Sequence, residues 1–79
     1  MLNKRIERLA ELQKLLRVCP TDVITRCALA LLLEELDLPD EASCHWKRIL
    51  DFDPKNLKAR EGVNRCRENR AGRPFRSQV

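Results

Sequence analysis

Three observations predict an all-α fold, an antiparallel helix-turn-helix array of three to four helices, for this 79-residue sequence. Apolar residues recur at three- and four-residue steps, the spacing of one helical face. Pro20, Pro39 and Pro54 fall between those runs, where a missing N–H and a fixed φ do least harm to a helix. No stretch alternates apolar with polar residues long enough to mark a half-buried strand, and the chain has no tyrosine and only two glycines.

The elements follow in order. Leu2, Ile6, Leu9, Leu12, Leu15 and Leu16 make one face of a first helix over 2–17, which stops by Cys19 because Pro20 disfavours a helical conformation before it. Thr21 or Asp22 caps a second helix running to about Leu36. Ile24, Cys27, Ala28, Leu29, Ala30, Leu31, Leu32 and Leu33 cover nearly its whole circumference, which predicts burial all round, between its neighbours and against a fourth helix or a partner. A third helix opens at Pro39, with Ala42, Trp46, Ile49 and Leu50 as its stripe, and ends at Asp53–Pro54. Asn56 caps a fourth, to about Asn69, with Leu57, Ala59, Val63 and Cys66 inward and with Gly62 costing about 1 kcal/mol in its interior. The helical domain thus covers 1–69, and 70–79, without periodicity, reads as a basic, disordered tail.

The net charge of +4 is segregated: +3 over residues 1–19, −5 over 20–54 and +6 over 55–79. Glu34, Glu35, Asp37, Asp40 and Glu41 gather at one inter-helix turn, and Arg65, Arg67, Arg70, Arg73 and Arg76 near the end. Solvated faces are the ordinary meaning of such runs. The longest apolar run, Cys27–Leu33, is far short of the roughly 20 residues that span a bilayer. Together with a first segment that mixes charge and apolar residues, this points to a cytoplasmic protein without a membrane span.

One internal echo stands out. RVCPTD and DFDPKN place Pro20 and Pro54 thirty-four residues apart, the tetratricopeptide period. Between them, Leu29, the small Ala30 and Ala42, Trp46 four residues on, and Pro54 make the chain resemble the tetratricopeptide repeat family: one complete repeat flanked by half-repeats, over about residues 5–66. Arg26, Leu33 and Ile49 depart from that pattern. The resemblance implies a right-handed stack in which the first helix of each pair lines a groove for a peptide or helix. The groove residues would then be Ile24, Cys27, Leu31 and Glu34 or Glu35, followed by Lys58, Glu61 and Arg65. For Ile24, Cys27 and Leu31, core packing is an equal alternative. The asparagine and lysine clamp by which some members grip a terminal carboxylate is not recognisable.

Nothing here spells catalysis. Cys19, Cys27, Cys44 and Cys66 contain no close metal-binding pair, and a cytosolic setting keeps them reduced. The lone His45 reads as a surface residue with no nucleophile beside it. The acidic turn lacks the order and the glycine of a calcium loop. The expectation is a non-enzymatic adaptor or chaperone-like module without cofactor or metal. Its partner is another protein or, alternatively, a second copy; nucleic acid bound through Arg65, Arg67, Arg70, Arg73 and Arg76 is a further alternative.

Overall fold

A computed structural model describes the backbone of residues 2–78 and the side chains of 4–69. It is all-α, with helices α1 (Leu2–Val18), α2 (Val23–Glu35), α3 (Pro39–Phe52) and α4 (Leu57–Gln78). The second helix starts where its cap chemistry places it: Thr25 N–H donates to Asp22 Oδ1 at 3.3 Å, and Thr25 Oγ1 donates to Asp22 Oδ2 at 2.7 Å. These bonds, the hydroxyl's first, hold the Asp22 carboxyl below its usual pKa. Asn56 does the same for α4, its Oδ1 accepting from Ala59 N–H at 2.9 Å.

The two prolines of the echo sit in matching turns. Cys19 N–H donates to Leu15 O at 3.0 Å and Asp22 N–H to Cys19 O at 3.1 Å; thirty-four residues later, Asp53 N–H donates to Ile49 O at 2.8 Å and Asn56 N–H to Asp53 O at 3.0 Å. Each ends in an Asx cap. The turn between α2 and α3 is of another kind. Leu38 N–H reaches Leu33 O at 2.9 Å and Asp37 N–H reaches Glu34 O at 3.0 Å, with Asp37 at φ 64°, which is a Schellman closure with aspartate where glycine is commonest.

The helices stack so that α2 packs against α1, α3 packs against both α2 and α4, and α2 touches α4 lightly. The Cα envelope is only 14 Å deep, the depth of two helix layers. The core runs along the slab from Leu12 and Leu16 through Leu29, Ala30, Leu32 and Leu33 to Ala42, Trp46, Ile49, Ala59 and Cys66. Ala30 and Ala42, both fully buried, let α2 and α3 approach closely.

Four expectations change. Leu57, the first residue of α4, is exposed rather than inward, and the buried face of the helix begins at Ala59. Leu15 is 54% exposed, whereas Ile49, its counterpart thirty-four residues on, is fully buried, since α3 packs against both α2 and α4 and α1 packs against α2 alone among the described residues. The backbone of α4 is helical to Gln78, past Asn69 and through the segment read as a tail. Side chains of 70–79, including Arg70, Arg73 and Arg76, lie outside the described residues. Gly62, finally, is no defect: a methyl group there would overlap the Trp46 indole.

Gly62→Ala therefore lowers stability by about 1–3 kcal/mol, the usual cost of overpacking, instead of raising it by the roughly 1 kcal/mol that helix propensity alone gives. Urea unfolding reads the sign, and repeating the substitution in a Trp46→Leu background removes most of the penalty.

Candidate functional site

The sequence gives α2 more apolar surface than its neighbours can cover. Leu29, Ala30, Leu32 and Leu33 are buried, but Ile24 is 82% exposed and Leu31 41% exposed, so the helix is not enclosed as its composition suggests. The remaining stripe faces an open groove of about 390 Å³ between α2 and the start of α4. Val23, Ile24, Cys27, Ala28 and Leu31 form its apolar wall, and Asn56 and Lys58 stand opposite. Four of the residues assigned to a groove from sequence, Ile24, Cys27, Leu31 and Lys58, are thereby brought together. Burial raises the Cys27 thiol pKa while the Lys58 ammonium pulls it partly back. Glu61 is exposed one turn beyond Lys58.

Glu34 and Arg65, also assigned to the groove, are used inside the protein. Trp46 Nε1 donates to Glu34 Oε2 at 2.7 Å, while Arg65 Nε and Nη2 donate to Glu34 Oε1 and Oε2, each at 3.0 Å. The guanidinium also lies 5.9 Å from the Trp46 ring centroid, within cation–π reach. The Glu34 hydrogen bonds raise the Arg65 pKa above its ordinary value. This carboxylate is thus an anchor between α2, α3 and α4 and not one of the solvated charges that the acidic turn suggests. Glu35 stays at the surface, 3.8 Å from Arg5 of α1.

A second polar cluster ties α2 to its other neighbours. Arg26 occupies the position where the repeat pattern has its first aromatic. Its Nη2 donates to Pro20 O at 2.8 Å, and its Nη1 lies 3.1 Å from His45 Nδ1. A guanidinium only donates, so Nδ1 is the acceptor and the proton of neutral His45 is on Nε2. The histidine is half-buried and engaged, not the free surface residue expected. Burial first, then Arg26 and Arg48, lower its pKa from the ordinary 6.5, with Glu41 acting the other way. His45 also lines a cleft of about 600 Å³ with Gln13, Leu16, Arg17, Pro20 and Leu29, at the gap between α1 and α3.

All four cysteines are free thiols, Cys66 being buried and Cys19 and Cys44 exposed. Burial raises the Cys66 pKa, with the Glu34 charge adding to it. Among the described residues no three His, Cys, Asp or Glu side chains converge as metal ligands, and no helix is long and apolar enough to cross a membrane. The chain matches no protein family, no curated protein and no solved structure.

Glu34→Ala leaves the indole N–H unpaired and costs about 2 kcal/mol with a red shift of Trp46 fluorescence, whereas Glu34→Gln, which keeps an acceptor, costs less than half as much. For His45 the folded pKa lies below the unfolded one, so its contribution to stability is complete above pH 6.5 and is lost as pH falls through the folded value. Between pH 7 and 5, wild type loses more stability than His45→Asn, which keeps an acceptor near Nδ1 but does not titrate; chemical denaturation at several pH values checks this.

Proposed function

We propose that the chain is a tetratricopeptide-like interaction module that holds a peptide or helix of a partner protein in the α2/α4 groove, without catalysis of its own. The observation that carries this reading is the open apolar wall of Ile24, Cys27 and Leu31, set opposite Lys58. The repeat supports it: the Pro20 and Pro54 turns share one hydrogen-bond pattern and one cap chemistry thirty-four residues apart. The last helix also presents exposed Arg60, Asn64 and Arg67. Their counterparts thirty-four residues earlier are Arg26, Ala30 and Leu33, of which the last two are core. A polar outer face of this kind closes a stack instead of extending it. With the outer face of α4 polar, the exposed Ile24 and Leu31 of the groove favour a bound segment over stacking on that face.

Self-association is the second reading, favoured by exposed Leu15 and Val18 on α1. Nucleic-acid binding is less supported, because Arg65 is held by Glu34. We place the protein in the cytoplasm on its mixture of charged and apolar residues and on the resemblance itself.

Leu31→Glu, at a partly exposed position, keeps the helical circular dichroism signal and lowers capture of the cellular partner at least tenfold, while Val18→Glu, on α1, leaves it unchanged. The opposite pattern would move the contact surface to α1 and, with a monomer–dimer equilibrium in light scattering, replace this reading with self-association.

A further inference from the structure

The groove is electrically lopsided. Its walls carry five apolar residues and a single charged one, Lys58, whose exposed ammonium forms no ion pair among the described residues. Arg65, the cation of α4 that reaches α2, is neutralised by a two-point bond to Glu34. Because α2 and α4 run in the same direction, Val23, Ile24, Asn56 and Lys58 meet at one end of the groove and Glu34 and Arg65 at the other. At the Lys58 end α4 is capped by a neutral asparagine, so no carboxylate of the cap offsets the ammonium. Beyond Leu31, by contrast, the stripe runs into Glu35, paired with Arg5.

Resting on the groove reading above, we infer that its occupant is an acidic amphipathic segment: apolar side chains at helical spacing laid along Ile24, Cys27 and Leu31, with a carboxylate at the Lys58 end. A basic segment would set like charge against Lys58, and a purely apolar one would leave the ammonium partly desolvated without a partner. Rim charges of this type select partners and speed encounter more than they add affinity.

Two synthetic peptides test it, identical in a leucine stripe at i, i+3, i+4 and i+7, one ending in two glutamates and the other in two lysines. Each is titrated into the full chain while the Ile24 and Leu31 methyl resonances are followed. The glutamate peptide binds about fivefold more tightly at low ionic strength, the gap shrinks in 0.5 M salt, and Lys58→Glu, at an exposed site, reverses the order. Equal binding of both peptides, with methyl shifts, overturns the charge selection and leaves the groove reading in place. No methyl shift with either peptide overturns both. Shifts that grow with protein concentration alone assign the groove to a second copy and overturn the proposal.

Discussion

The position of Trp46 decides the arrangement of three of the four helices. Its indole, 1% exposed, is the largest fully buried side chain, and it reaches its place only because Gly62 gives up a side chain on α4 and Glu34 supplies an acceptor from α2. A buried indole N–H without a partner costs about 1–3 kcal/mol, a sizeable part of what so small a domain has in hand. The Glu34 carboxylate in turn needs a cation, and Arg65 answers from one turn beyond Gly62, over the same ring. Ring, glycine, carboxylate and guanidinium specify one another, so none of the four can be changed without disturbing the rest.

The same reasoning accounts for the difference between the two halves of the repeat. Thirty-four residues before Trp46 and Gly62 stand Leu12 and Ala28. The first half uses a medium side chain and a methyl where the second uses the largest side chain and none. Interiors are packed to a fixed density, so the larger residue on α3 demands the smaller one on α4. What repeats is the packed volume and the proline turn, rather than the residue types. A stack that preserves turn geometry while exchanging core volumes keeps its period even where its sequence echo is short.

Much of this was legible in the sequence. The three helix starts at Val23, Pro39 and Leu57 follow from Asp22, Pro39 and Asn56, because caps and prolines act locally. Ile24, Cys27 and Leu31, which the tetratricopeptide resemblance implied as groove residues with core packing an equal alternative, do line one cleft with Lys58. The roles of Glu34, Arg26, His45 and Gly62 were not legible. Each depends on a contact with another helix, and periodicity within one helix carries no information about that. A cluster of carboxylates looks solvated until one is seen under an indole, and a glycine inside a helix looks like a weakness until the ring facing it is known. The residue types alone do not say which of the five nearby carboxylates, Glu34, Glu35, Asp37, Asp40 or Glu41, makes the bond to Trp46 and Arg65.

The two polar clusters also shape the groove. Glu34 and Arg65 tie α2 to α4 at one end, by a two-point bond shielded on one side by Trp46, which fixes the helix separation there. At the Ile24 and Lys58 end no side-chain bond joins the two helices among the described residues, and they contact each other only lightly. Their spacing at that end is set through α3, which packs on both. Arg26 and Pro20 meanwhile hold the start of α2 to the turn before it, and Asn56 and the fully buried Ala59 hold the start of α4 to its cap and to the core. The groove is thus braced by a direct bond at its Glu34 end and through α3 at its Lys58 end. The part of the groove with its single charged residue, Lys58, is therefore the part whose width depends on packing through α3 rather than on a direct bond between α2 and α4.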